Sequence, residues 1–182
     1  MPICKFEDLS HSDCATLVAQ ARALRAGVQS ETDALRKFFK KALMSFCRHL
    51  EYFAPLNVSE AAQTWATERG VPTLRSLTKY EERARFGAEK DALLWEHQKP
   101  AKDIFDDLVD AGGASDEEIL AILKTARIAW ILSSENARIM PKKGRRDDPD
   151  AAYRQADIKM LWCWTCGLIS PDGSGYCELH RR

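Results

Sequence analysis

Apolar residues recur every three or four positions along most of this chain, a spacing that predicts helices. The clearest stripe is Leu35, Phe38, Phe39, Ala42, Leu43, Phe46, Leu50 and Phe53, expected to face the core of a long helix. Ser30 with Asp33, a capping box with a shorter acid in place of Glu, predicts where that helix starts, and Pro55 where it ends. Ahead of it, Ser10 or Ser12 can cap a helix over residues 13–26, closed by Gly27. Behind it, Ser59 caps a short helix over 60–69 that Gly70 and Pro72 terminate.

Residues 77–110 keep the helical period, with interruptions near Gly87 and Pro100, and Gly112-Gly113 mark a linker or tight turn. Ser115 then opens a helix with Asp116, Glu117 and Glu118 in its first turn, where the helix dipole favours acids. The run Ile128-Ala129-Trp130-Ile131-Leu132 is apolar at consecutive positions. It fits a short strand or the buried end of the preceding helix, and periodicity does not choose between them. Ser133 and Ser134 beside Glu135 look like a further helix cap, which favours a strand followed by a helix. Composition changes at Met140-Pro141, where KKGRRDDPD is charged, holds Gly144 and Pro149 and offers no core residue: a linker or loop. Residues 151–159 then suit one or two helical turns. The expected fold is mainly α: a helical body over 1–139 with room for one short strand, a charged linker and short helix over 140–160, and a small zinc finger over 161–182.

Composition sharpens this in three ways. With 182 residues, 45% hydrophobic and 30% charged, the chain can bury one real core and carry a small appendage, unlike a disordered protein. Lys plus Arg equals Asp plus Glu at 27 each, so the overall charge points to neither nucleic acid nor membrane, and any polyanion would need a local patch. No apolar run approaches a bilayer span, and the first residues have neither the basic start nor the long apolar stretch of a secretory signal. Cys4, Cys14 and Cys47, scattered through helical sequence, read as small buried hydrophobes in a reducing compartment, so a cytoplasmic location is expected.

The strongest chemical signal is at the far end. Cys163, Cys166, Cys177 and His180 are spaced C-x2-C-x10-C-x2-H, with a Pro171-Asp172-Gly173-Ser174-Gly175 turn between the two pairs. A hairpin of that kind brings both pairs to one tetrahedral ion, and thiolate and imidazole donors select Zn2+ over hard cations. Four protein ligands close the coordination sphere, leaving no position for water or substrate. The knuckle Cys163-Trp-Thr-Cys166-Gly167 and the ending Tyr176-Cys177-Glu-Leu-His180-Arg181-Arg182 resemble small zinc fingers of the zinc-ribbon and treble-clef class. Similar Cys-x-x-His-Arg endings occur in phage and mobile-element proteins, some beside nuclease domains, and the resemblance implies metal binding. Residues 96–158 resemble, more faintly, a recurring block of uncharacterised bacterial and phage proteins, carried here by Glu96-His97-x-x-Pro100, Glu135-Asn136, Met140-Pro141 and Tyr153.

Two further constellations bear on function. Lys142, Lys143, Arg145 and Arg146, with Arg181 and Arg182, can contact phosphate, although Asp147, Asp148 and Asp150 lie beside the first cluster and can neutralise it. Trp162 and Trp164 flank the first ligand and suit packing of the finger onto the body, or stacking on bases. His97 with Glu96 and Lys99 is the one candidate catalytic group: a general base with a nearby cation, the minimal kit of a metal-independent nuclease. Adjacent helical residues diverge by about 100°, so Glu96 could orient His97 only if the helix broke near Pro100. His11 near Asp13 and Cys14 reads as a cap followed by core, and His49, between Arg48 and Glu51 on the second helix, is exposed or pairs locally. No Gly-rich phosphate loop, G-x-S-x-G, H-E-x-x-H or EF-hand loop is present. The sequence therefore leads to a non-enzymatic binding protein of phage, mobile-element or defence type, acting on nucleic acid or on a protein bound to it. The alternatives are a small toxin-like or defence nuclease using His97, and a protein-interaction adaptor with a purely structural zinc.

Overall fold

A computed structural model describes residues 6–77, 86, 89, 92–140, 148–163, 170 and 173–175. The chain divides into two compact units, each built from segments distant in sequence: Cys4–Ala54 with Lys99–Ala126, and Pro55–Gln98 with Arg127–Arg182. Helix is the main regular structure among the described residues of the whole chain, as expected. Among the described residues no helix is long and apolar enough to cross a membrane.

The first unit is helical. Helix α1 spans His11–Val28, α2 Asp33–His49, α4 Ala101–Asp110 and α5 Asp116–Leu123; α3 (Glu60–Thr67) belongs to the other unit. Capping boxes start α1 at Ser10 with Asp13 and α5 at Ser115 with Glu118, satisfying amide donors that a helix N-terminus otherwise leaves open. Val18 and Ala21 of α1, Leu43, Phe46 and Cys47 of α2, Ile104 and Leu108 of α4, and Ile119 and Leu123 of α5 are buried. Arg22 of α1 donates to the Asp116 carboxylate at 2.7 Å and to the Ala114 carbonyl at 2.7 Å, fastening the α4–α5 turn.

Three local features differ from the sequence expectation. Gly27 does not end α1 but lies in its last turn, where the Phe39 ring comes so close that a Cβ would sit 2.1 Å from Cγ. Ser30 is not the cap of α2: Thr32 holds that position, and the Ser30 hydroxyl accepts from the Thr32 amide at 3.3 Å. The apolar stripe of α2 is covered only toward its C-terminal half. Leu35 and Phe38 stay 49% and 62% exposed, since the pattern shows which face can be buried, not how far the neighbouring helices reach.

The second unit is organised by a three-stranded sheet, which is more strand than the single one expected. Strand β1 (Leu56–Val58) lies parallel to β3 (Ile128–Leu132), and β2 (Leu93–His97) pairs antiparallel on the other side, giving the order β1-β3-β2. The central β3 is the expected strand. It is buried on both faces from Ile128 through Ile131, which explains an apolar run without alternation. Residues 93–97, expected to be helical, form β2 instead. Its Trp95 faces Trp130 across the ladder with ring centroids 4.8 Å apart, a cross-strand aromatic pair that helical periodicity does not anticipate.

Helix α3 (Glu60–Thr67) follows β1 and is capped by Ser59, as the sequence predicts. Helix α6 (Ser133–Arg138) follows β3 directly, but the cap bond comes from Glu135, whose carboxylate accepts the Leu132 amide at 2.8 Å and the Ser59 hydroxyl at 2.6 Å in the interior. Helix α7 (Pro149–Gln155) packs Ala152 and Tyr153 into a cluster with Ala129, Ile131, Ile139, Ile158 and Met160.

Candidate functional site

The approach to Cys163 is built on the free edge of β1. Beyond α7 the chain runs back beside β1: Glu60 donates to the Lys159 carbonyl at 2.8 Å, Leu161 donates to the Val58 carbonyl at 3.0 Å, and Ser59 bridges Met160 in antiparallel sense. Asn57 completes the register from its side chain. It is 1% exposed, accepts the Trp162 amide on Oδ1 at 3.1 Å and donates from Nδ2 to the Trp162 carbonyl. The next residue is Cys163, buried at 3% exposure. Trp162 is half-buried and lies under the Arg75 guanidinium, 5.2 Å from the ring centroid, so this tryptophan packs on its own unit.

The turn expected between the two ligand pairs folds onto the same edge. Ser170 donates to the Leu161 carbonyl at 2.9 Å, and Met160 donates to the Gly173 carbonyl at 2.7 Å. The Ser170 hydroxyl accepts from Gly175 at 3.0 Å. Gly173 and Gly175 have φ of 72° and 83°, in the left-handed region that favours glycine. At Gly173 space adds to conformation, since a Cβ there would meet the Lys159 Cβ at 2.8 Å. The chain that leaves at Cys163 thus returns, ahead of Cys177, to the residues that precede Cys163. Cys166, Cys177 and His180 lie outside the described residues, and so do Trp164, Lys142, Lys143, Arg145, Arg146, Arg181 and Arg182. Among the described residues no three His, Cys, Asp or Glu side chains gather as a metal site.

Two acids that follow the basic cluster in sequence have partners among the described residues. Asp148 caps α7 by accepting the Ala151 amide at 2.8 Å, and its other oxygen lies 3.6 Å from Arg154. Asp150 takes the Arg127 guanidinium at 3.2 Å and the Gln98 amide at 2.5 Å, with Gln98 buried at 1%. Asp147 is outside the described residues.

Glu96 and His97 are consecutive residues of β2, so their side chains leave opposite faces of the sheet and do not orient each other. Register pairs Glu96 with Ala129 and His97 with Ile128. The Lys99 ammonium is paired with Asp107 at 2.5 Å within the helical unit, and both side chains are largely covered. Glu96 and His97 therefore do not form a pair on one face of the sheet.

Sequence reasoning missed Asn57, because a lone asparagine in a three-residue strand carries no pattern. It also missed Lys37, Lys40, Lys41 and Arg48, which share the long helix with the apolar stripe and drew no separate reading. No protein-family model matches the chain, and no curated protein or solved structure shows significant similarity to it.

Proposed function

We propose that this protein is a non-catalytic nucleic-acid-binding protein whose C-terminal tail is stapled by a zinc ion. The observation that carries the phosphate-binding part is the clustering of Lys142, Lys143, Arg145 and Arg146 within five positions of a chain whose overall charge is balanced. Of the acids that follow this run, Asp148 caps α7 beside Arg154 and Asp150 holds Arg127 and Gln98, so both have partners of their own in the fold. The basic run, together with Arg181 and Arg182, suits a phosphate backbone, where counterion release supplies the affinity.

The residues present fit a zinc staple. Cys163 is buried beside a clamped backbone, and Ser170 and Gly173 bond back to Leu161 and Met160 just ahead of it. Cys163, Cys166, Cys177 and His180 would hold the ion, which supplies a cross-link between the two ligand pairs. The chain's own part is to bury the first thiol and to fix the direction in which the tail leaves the sheet. A protein bound to nucleic acid is the second partner this reading admits.

Binding of labelled DNA and RNA, followed by fluorescence anisotropy across a salt series, tests the proposal. Affinity should fall steeply with salt, and replacing Lys142, Lys143, Arg145 and Arg146 by Ala should flatten the slope of log K by about 0.9 for each phosphate contact removed from a duplex. No binding at low salt, or a slope unchanged in the quadruple variant, would overturn it.

A further inference from the structure

The helical unit has an open groove of about 680 Å³ between α2 and α4. Its α2 wall is Lys40, Lys41, Met44, Ser45 and Arg48, which at one and two turns apart form a single helix face. Lys102, Phe105, Asp106 and Val109 do the same on α4. This face of α2 is turned roughly 140° from the one that buries Leu43, Phe46 and Cys47, so it is not an extension of the core. Met44, Phe105, Val109 and Val28 give the groove an apolar floor.

The rim is mainly cationic. Lys40, Lys41 and Arg48 are exposed and make no ion pair among the described residues. Lys102 reaches Asp106 and stands 5.4 Å from the Phe105 ring centroid. Four cations thus surround the floor against one carboxylate, and Lys37, also exposed, extends the row one turn further along α2. Like charges at neighbouring helical positions repel, so the free protein bears a cost that an anionic partner relieves. A phosphate backbone would satisfy the rim and leave Met44, Phe105 and Val109 without apolar contact. A helix with apolar residues on one face and carboxylates along its flanks satisfies both, and methionine in the floor adapts to the packing.

We infer that the groove between α2 and α4 docks an acidic amphipathic helix of a partner protein, with its apolar face on Met44, Phe105 and Val109 and its carboxylates on Lys40, Lys41 and Arg48. Nothing in this inference depends on the zinc tail or on nucleic-acid binding.

The test is a display library of random peptides selected on the full chain, counter-selected on the double variant Lys40→Glu, Lys41→Glu. Enriched peptides should be net acidic with apolar residues at i, i+3 or i+4, and i+7. The tightest, synthesised with a fluorophore, should lose at least about tenfold in affinity on the double variant and on Met44→Asp. Circular dichroism establishes that each variant is folded, and the charge reversals are at exposed positions. Replacing Lys142, Lys143, Arg145 and Arg146 by Ala should leave peptide affinity unchanged, which separates this inference from the nucleic-acid reading. Failure to enrich peptides that discriminate the two proteins would overturn it, as would enriched peptides lacking acids. So would an oligonucleotide whose binding is abolished by Lys40→Glu, Lys41→Glu while the peptides are unaffected.

Discussion

The carboxamide of Asn57 grips both backbone polar groups of Trp162, 105 residues further along the chain. One short side chain thereby does the work of a strand pairing at the edge of β1, and it does so one residue before the first predicted zinc ligand. Removing it strands a backbone donor and acceptor in a half-buried setting. Asn57→Ala should cost about 1–3 kcal/mol by thermal or denaturant unfolding, because unsatisfied groups lose their full desolvation energy. If the tail binds zinc as proposed, the same change should also weaken zinc about tenfold or more, as loss of a ligand's supporting contacts does. A stability unchanged from wild type would show that the clamp is incidental.

Zinc itself is the simplest prediction to check. Purified protein should hold one equivalent of zinc by elemental analysis, and Cys177→Ser or Cys163→Ser should release it. Stripping the metal with a chelator should loosen the tail, seen as faster amide exchange after Cys163, while α1 and α2 keep their protection. Metal-free protein with an equally protected tail would overturn the staple.

Much of the helical architecture is legible from caps and periods. Ser10, Ser59 and Ser115 start helices where the sequence says they should, because an N-cap is a local device. The strands are less legible for reasons of length and burial. Leu56–Val58 is three residues, all buried, too short for any period, and Leu93–His97 shows no alternation because most of its residues are partly covered. Only β3, with Ile128–Leu132 wholly apolar, announced itself, since a central strand covered on both faces needs no polar positions. The division into units was hidden because each is assembled from segments on either side of the other's. At the candidate site, the Asn57 clamp was not readable, since it depends on a register that exists only after folding. The cationic groove was hidden for a similar reason: Lys40 and Lys102 are 62 positions apart in sequence and meet only through helix packing.

Gly27 and Phe39 make a second testable pair. A helical glycine is usually a liability, and replacing one by Ala typically gains about 1 kcal/mol. Here the new Cβ would overlap the root of a ring, at 2.1 Å from Cγ, which a rotamer change cannot relieve cheaply. Gly27→Ala should therefore destabilise by about 1–3 kcal/mol, the range for overpacking. In a Phe39→Ala background the same substitution should become neutral or stabilising. Equal effects in both backgrounds, read by a double-mutant cycle, would rule out the contact as the cause.

Burial pushes the Cys47 thiol from its ordinary 9.0 up to about 12, desolvation of the thiolate being the main cause. The native protein should resist iodoacetamide at Cys47 at pH 8 and react fully in guanidinium chloride, as peptide mass spectrometry would report. The sign for stability follows. Below pH 9 the thiol is protonated in both states and has no effect. Between 9 and 12 the unfolded chain releases a proton that the native state keeps, so stability falls as pH rises. Cys47→Ala should flatten that alkaline loss. Rapid native labelling would mean that the helical unit opens far more readily than its core suggests.

Helix α7 ends on a strained residue. Asp157 has φ of 51°, and around it the amide of Ile158 donates to the Tyr153 carbonyl at 3.0 Å while its own amide donates to Arg154 at 3.0 Å. This is the Schellman pattern, which turns the chain from α7 into the segment that runs beside β1, and its left-handed position is usually glycine. A residue with a Cβ held there costs about 1–2 kcal/mol. The Asp157 side chain is exposed, so removing it forfeits little packing. Glycine also adds freedom to the unfolded chain, which takes back part of the gain. Asp157→Gly should still stabilise by about 0.5–1 kcal/mol, and Asp157→Val, a branched side chain in the same conformation, should destabilise by more than that. A chemical denaturation series on the three proteins gives the order directly. If valine proved as stable as aspartate, the left-handed turn at Asp157 would not be the conformation populated in solution.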